Sequence, residues 1–305
     1  MPLLKVVLQM INQIYQLTSP RQFEITYNNT DIFSENVIVR PLYLSICAAD
    51  QRYYTGSRDE KTLKKKLPMS LIHEGVGEVV FDSKGIYKIG TKVVMVPNTP
   101  TESDDVIAEN YLPSSYFRSS GYDGFMQDFN FLKHDRVVPL PDNVDLSILS
   151  YTELVSVSLH AINRFEMKSI SNRSSFGIWG DGNLGYITAL LLRKIYPDCK
   201  IYVFGKTDYK LSHFSFVDKT YHIDDIPSDL TFDHGFECVG GKGSQSAINQ
   251  IIDYIYPEGS IALLGVSEMP VEINTRLVLE KGITLIGSSR SGTEDFKNVV
   301  DLYIK

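Results

Sequence analysis

Apolar positions recur with a short period from residue 11 to about residue 142. Residues 36–43 alternate apolar with polar, residues 75–81 are rich in Val, and residues 92–96 form a compact apolar run. Gly and Pro interrupt these runs at short intervals, which predicts a barrel-like or sandwich-like β domain rather than a helical one. Residues 58–66 break the pattern with a charged stretch containing Lys64, Lys65 and Lys66. They predict a solvated helix or loop, with a phosphate site as the minority reading. Residues 97–123 are polar, rich in Pro, Ser, Asn and Tyr, and without a period, and they end in the turn signal Gly121-Tyr-Asp-Gly124. A loop of that length inside a compact domain is usually functional or disordered.

The period then lengthens. Residues 145–165 place Leu154, Val157, Leu159, Ala161 and Ile162 at helical spacing. Beyond them strands at 175–179, 200–204, 219–223, 233–238, 260–264 and 284–287 alternate with helices at 186–195 and 244–256. That order predicts a parallel sheet with helices on both faces. The expected domains are 10–160 and 161–305. Residues 294–305 form an amphipathic pattern around Phe296, Val299, Val300 and Tyr303 and stop without a C-cap signal. A longer natural chain, with a tail returning to the first domain, is therefore expected.

Length and charge narrow the class. A chain of 305 residues supports two sizeable cores. A net charge of -7 and a pI near 5.4 argue against a nucleic-acid or anionic-membrane surface. Cys47, Cys199 and Cys238 are too few for a secreted disulfide framework and point to a reducing cytoplasm. Residues 1–8 are mildly apolar, too short for a membrane span or a signal peptide, and Met10 offers an alternative start.

The strand at 175–179 runs into Gly180-Asp-Gly-Asn-Leu-Gly185 and a helix. In such a turn Gly180 permits the tight bend, Gly182 lets a pyrophosphate approach, and Gly185 lets the helix pack on the strand. With Asn183 and Leu184 they form the expected cofactor turn, whose helix N-terminus offers free N–H groups to an anion. NAD sites place an acid at the end of the next strand, about 20 residues on. Here that strand ends in Gly205-Lys206-Thr207 with Lys210 near. Lysine and the Gly205 and Lys206 amides attract a 2′-phosphate that a carboxylate would repel, which favours NADPH over NADH. Asp208 keeps the choice open.

Candidate metal ligands lie in the β-rich half: Cys47 and Asp50 after a strand, His73 and Glu74 before a Gly-Val-Gly turn, and Glu153 at the head of the helical stretch. Cys, His and carboxylate are the ligand types of a catalytic zinc. Taken singly, Cys47 reads as a small buried side chain and His73 as a core histidine. Their order says more. C-x-x-D, H-E-G-V-G-E-V, G-Y-D-G-F, T-E-L-x-x-x-x-L-H and G-x-G-x-x-G, in that sequence from about residue 12 onward, resemble the zinc-dependent medium-chain dehydrogenase/reductases.

The resemblance implies an α/β protein made of a GroES-like β-barrel catalytic domain and a Rossmann domain with a doubly wound parallel sheet, the active site lying in the cleft between them. It places Cys47, His73 and Glu153 on metal-ligand positions, Glu74 on that of an acid that ligates in polyol-dehydrogenase-like members, and Asp50 on a position that orients His73. Residues 97–121 hold no cysteine, so the four-cysteine lobe of many relatives is missing and one catalytic zinc, with no structural zinc, is expected. Ala49 stands where many relatives start their proton relay with a hydroxyl. Tyr53 is the nearest replacement by position, and a core or substrate-packing tyrosine fits it equally.

The longer strings at 45–58, 68–74, 97–101 and 177–185 resemble the ribulose-5-phosphate reductases of ribitol-phosphate teichoic-acid synthesis. That likeness implies NADPH-dependent reduction of D-ribulose 5-phosphate to D-ribitol 5-phosphate, a metal polarising the C2 ketone, a homodimer, and a cytidylyltransferase partner that makes CDP-ribitol. Arg52, Arg58 and Arg118 flank the expected site as phosphate candidates. A polyol dehydrogenase for an unphosphorylated sugar alcohol shares the same metal and fold. A zinc-free quinone reductase would lack the full Cys47, His73 and Glu153 set, and a non-catalytic NADPH-binding protein would show a degraded one.

Overall fold

The structure, a computed structural model, describes residues 9–32 and 36–304. The apolar stretch 1–8 lies outside them. The chain forms two compact units, Met1–Ser156 with Arg290–Lys305, and Val157–Ser289.

The first unit opens with β1 (Gln9–Ser19) and β2 (Gln22–Asp31), a long antiparallel pair. Then come β3 (Val37–Ser45), α1 (Ala48–Thr55), α2 (Glu60–Lys66), β4 (Met69–Ser70), β5 (Glu74–Asp82) and β6 (Lys92–Met95). The polar stretch after them holds β7 (Asn98–Thr99) and β8 (Tyr116–Phe117), paired as a two-stranded sheet where the sequence suggests only a loop. β9 (Asn130–Leu132), β10 (Val137–Pro139) and α3 (Leu146–Leu149) follow, and α4 (Thr152–Lys168) begins in this unit.

Five strands form one antiparallel sheet in the order β10-β6-β5-β3-β9, and β2-β1-β4 form another. Successive residues of a strand point to opposite faces. Val93 accordingly packs with Val37, Val39, Val79 and Phe125, while its neighbour Val94 packs with Val76 and Val138. The charged residues 60–66 do form a helix, started by the Asp59 carboxylate, which accepts from Thr62 N at 2.9 Å.

The second unit contains β11 (Ser175–Trp179), α5 (Asn183–Ile195), β12 (Lys200–Gly205), α6 (Asp208–Leu211), β13 (Lys219–His222), β14 (Phe232–Glu237), α7 (Ser244–Tyr254), β15 (Ile255–Leu263), α8 (Thr275–Lys281) and β16 (Thr284–Gly287). All six strands are parallel in the order β13-β12-β11-β14-β15-β16. Every residue of β11 and β14 is buried, as expected of strands covered on both faces. The strand order reverses between β11 and β14, the switch point at which such sheets bind ligands. The last helix, α9 (Thr293–Ile304), belongs to the first unit, although the sequence joins it to the sheet domain: Phe296 and Val300, four residues apart, pack with Val94 and Val138. Among the described residues no helix is long and apolar enough to cross a membrane.

Candidate active site

Two strand ends bring the candidate ligands together. In the β3–β5 ladder Ser45 faces Glu74, so the chain leaving β3 and the chain entering β5 emerge side by side. Cys47 then caps the N-terminus of α1, and His73 immediately precedes β5. The thiol, the imidazole and the Glu74 carboxylate have ligand atoms within 4.8 Å of one another. Glu153, in the first turn of α4, is buried and its charge is felt by both Cys47 and His73, but it stands outside that group of three.

Asp50 organises the group from behind. One of its oxygens accepts from Cys47 N at 3.1 Å, and the other from Ile72 N at 3.0 Å and Ser119 Oγ at 2.7 Å. His73 Nδ1 lies 3.5 Å from Asp50 Oδ1, an ion-pair distance without hydrogen-bond alignment. Ile72 takes φ 72°, a left-handed value that a β-branched residue rarely adopts, so the backbone before His73 is held under strain. Burial alone would raise Asp50, but His73, Ser119 and the Ile72 amide outweigh it and hold the carboxyl below its usual range.

The rest of the cluster carries more negative charge than its cations offset. Burial pushes the Cys47 thiol and the Glu74 carboxyl up, and burial with repulsion from Glu74 and Asp50 pushes Glu153 up to about 8. Burial opposes a charge on His73, yet Asp50, Cys47 and Glu153 raise it well above its usual value. A thiol, an imidazole and carboxylates that each resist their ligating charge state when no cation is present fit a divalent cation site.

Tyr53 is 1% exposed and packs with Leu17, Met69, Leu71 and Ile72. Its hydroxyl has no hydrogen-bond partner among the described residues, while the Arg58 guanidinium and the Lys66 ammonium lie over its ring. The sequence-expected phosphate residue Arg118 donates to the Phe131 and Asp123 carbonyls. Arg58 stacks on Tyr53 at 4.7 Å.

In the second unit the glycine turn meets the strict geometry of a nucleotide turn. Gly180 has φ 130°, and a Cβ there would lie 2.9 Å from the Cys238 carbonyl oxygen. A Cβ on Gly185 would sit 2.0 Å from Gly180 O, whereas one on Gly182, the N-cap of α5, would meet nothing within 4 Å. That open approach is what a pyrophosphate needs. Asn183 is exposed and Leu184 half-buried in the first turn of the helix.

Beside the turn a cavity of about 260 Å³ is lined by Trp179, Phe204, Gly205, Lys206, Lys210 and Gln250 among others. Trp179 stacks on Phe204 at 3.8 Å and donates to Gln250 Oε1 at 2.9 Å. One residue here escaped the sequence reading. The Asp181 carboxylate accepts from Lys206 N at 3.0 Å and Thr207 N at 2.9 Å, and lies 3.9 Å from Lys210 Nζ. The Lys206 amide expected to meet a 2′-phosphate is therefore already engaged, while the Lys206 and Lys210 side chains are exposed. The signal was an acid inside the glycine motif itself.

Family models for an alcohol dehydrogenase GroES-like domain and for a zinc-binding dehydrogenase match residues 34–142 and 207–305. Ribulose-5-phosphate reductase 1 of Staphylococcus aureus (strain NCTC 8325 / PS 47) is 81% identical over 296 residues, spanning 97% of this chain and 87% of that protein. The chain belongs to the zinc-binding medium-chain dehydrogenase/reductase family. A second member, the ribulose-5-phosphate reductase of Bacillus spizizenii (strain ATCC 23059 / NRRL B-14472 / W23), is 63% identical over 96% of this chain and 86% of its own length. The crystal structure of S. aureus TarJ in complex with NADPH superposes with a TM-score of 0.86 at 74% identity, over 97% of this chain and 86% of that one. As in this dehydrogenase family generally, the barrel unit is GroES-like and the parallel-sheet unit is the Rossmann domain.

Proposed function

We propose that this dehydrogenase reduces D-ribulose 5-phosphate to D-ribitol 5-phosphate with NADPH, supplying a cytidylyltransferase that makes CDP-ribitol for wall teichoic acid. The 81% identity to a ribulose-5-phosphate reductase across nearly the whole chain carries the reading. The described cysteines are unpaired, which fits cytoplasmic chemistry.

Cys47, His73 and Glu74 are the residues proposed to hold zinc, with Glu153 as the buried acid beside them. When bound, zinc supplies Lewis-acid polarisation of the ketone, and NADPH supplies the hydride. The chain's own part is positioning and charge. Asp50, fixed by Ile72 N and Ser119 Oγ, lies on the Nδ1 side of the imidazole at 3.5 Å, which leaves Nε2 for the ligand position. The first turn of α5 and the glycine turn would take the pyrophosphate, and Lys206 and Lys210, which line the cavity beside them, would meet the 2′-phosphate. Ala49 brings no hydroxyl to the group, so the product's proton would come through water or Tyr53 rather than from a side chain at that position.

Initial rates with D-ribulose 5-phosphate against D-ribulose, each with NADPH and NADH, test the proposal. The phosphorylated ketose with NADPH is expected to have the highest kcat/KM. Equal or faster reduction of D-ribulose would favour the unphosphorylated-polyol reading instead. A homodimer belongs to the same proposal and is checked by light scattering.

A further inference from the structure

Arg290 follows β16 and opens the segment that returns to the first unit. Its φ is 59°, a left-handed value uncommon outside glycine. The residues after it hold the turn firmly. The Ser291 and Ser156 hydroxyls are 2.7 Å apart, Gly292 N donates to Asp295 Oδ2 at 2.9 Å, and Thr293 N donates to Glu109 Oε1 at 2.7 Å. Phe296 is fully buried one turn further on. The arginine is thus presented in one direction by a segment that cannot easily relax.

Its guanidinium lies 4.8 Å from the centroid of the Phe117 ring, and that ring lies 5.3 Å from the His73 ring. Glu153 and Arg290 each feel the other's charge. Yet among the described residues Arg290 makes no hydrogen bond and no ion pair within 4.0 Å, so its donors are unspent. Neighbouring cations are differently placed. Arg136 is consumed by Glu109, Asp135 and the Asn98 carbonyl, and Arg118 by two backbone carbonyls.

A phosphate dianion entering beside the acidic group around Asp50 and Glu74 is favoured by a cation within its reach. We infer that Arg290 binds the phosphate of the substrate, and so sets the preference for a sugar phosphate over the free sugar. A guanidinium fork matches phosphate oxygens bidentately, and its place over the Phe117 ring limits where that fork can lie. One aromatic ring separates His73 from Arg290, which suits a ketose whose carbonyl and phosphate ester lie at C2 and C5. The inference rests on the carbonyl being reduced at the Cys47, His73 and Glu74 group.

The test compares wild type with Arg290→Met, which keeps the stem, and Arg290→Lys, which keeps the charge but not the fork. The ratio of kcat/KM for D-ribulose 5-phosphate to that for D-ribulose is expected to fall roughly 30-fold or more in Arg290→Met and less in Arg290→Lys. An equal loss on both substrates would mean a structural role and would overturn the assignment. Calorimetric titration of inorganic phosphate into zinc-loaded, NADPH-saturated protein, whose cofactor phosphate sites are filled, reads the same site without turnover. Binding at least ~10-fold weaker in Arg290→Met supports the inference. Equal binding by both proteins, or none by wild type, overturns it. Wild type that binds phosphate through Arg290 but does not reduce D-ribulose 5-phosphate would keep the phosphate site and remove the sugar assignment.

Discussion

Cys47 and Asp50 share one device at the head of α1. The Asp50 carboxylate takes the Cys47 N–H, the Ile72 N–H and the Ser119 hydroxyl, so a single buried acid ties together the segments that carry the thiol and the imidazole. With that scaffold intact, replacing the thiol alone isolates its role. Cys47→Ser is expected to lower bound zinc per chain at least ~10-fold and turnover at least ~100-fold, while NADPH, held by the other unit, binds near wild-type strength. Metal analysis with fluorescence titration of NADPH measures both, and zinc retained at one per chain would remove Cys47 from the ligand set. The ligand types were legible in the sequence because Cys, His and Glu beside strand ends are few. Their grouping came from the order of the motifs and the resemblance that order carries, not from any local pattern. Glu74 joins the thiol and imidazole through the Ser45–Glu74 pairing, a register no local pattern reveals, and Arg290 reaches Phe117 from a distant stretch of chain.

At the scale of elements, the alternating stretch 175–287 was readable because buried parallel strands appear as continuous apolar runs. β2 does alternate, with Phe23, Ile25 and Tyr27 against polar neighbours, yet those apolar side chains are exposed, so the face that periodicity marks is not a buried one. The short α6 and α8 were missed for want of a full period. The turn into α5 admits no side chain at Gly185. Gly185→Ala would set a methyl 2.0 Å from Gly180 O, and is expected to weaken NADPH binding at least ~10-fold by displacing the turn; unchanged affinity would show that the turn adapts.

The β5–β6 connection provides a pH-dependent prediction. Asp82 accepts from Lys84 N at 2.9 Å, Tyr87 N at 2.8 Å and the His134 ring at 2.7 Å. Burial opposes ionisation, but these donors outweigh it and lower the carboxyl to about 2. A folded value below the unfolded one, near 4, stabilises fully above about pH 4 and is lost as pH falls through about 2. The contribution is at most about 2.5 kcal/mol. Urea midpoints at pH 5 and pH 2.5 should therefore fall further in wild type than in Asp82→Asn, and parallel falls would contradict it.

For the molecule as a whole, a β-barrel unit carries the buried ligand cluster and a doubly wound unit carries the nucleotide turn. In the proposed function the first would hold the polarising cation and the second the NADPH. In that function, cation and NADPH act together on a phosphorylated ketose. The most direct measurement is NADPH oxidation with D-ribulose 5-phosphate by zinc-replete protein, by the same protein after chelation, and after zinc is returned. Activity, its loss and its restoration are expected in that order. Full activity in metal-free protein, or none in the zinc-replete protein, would contradict the proposed function.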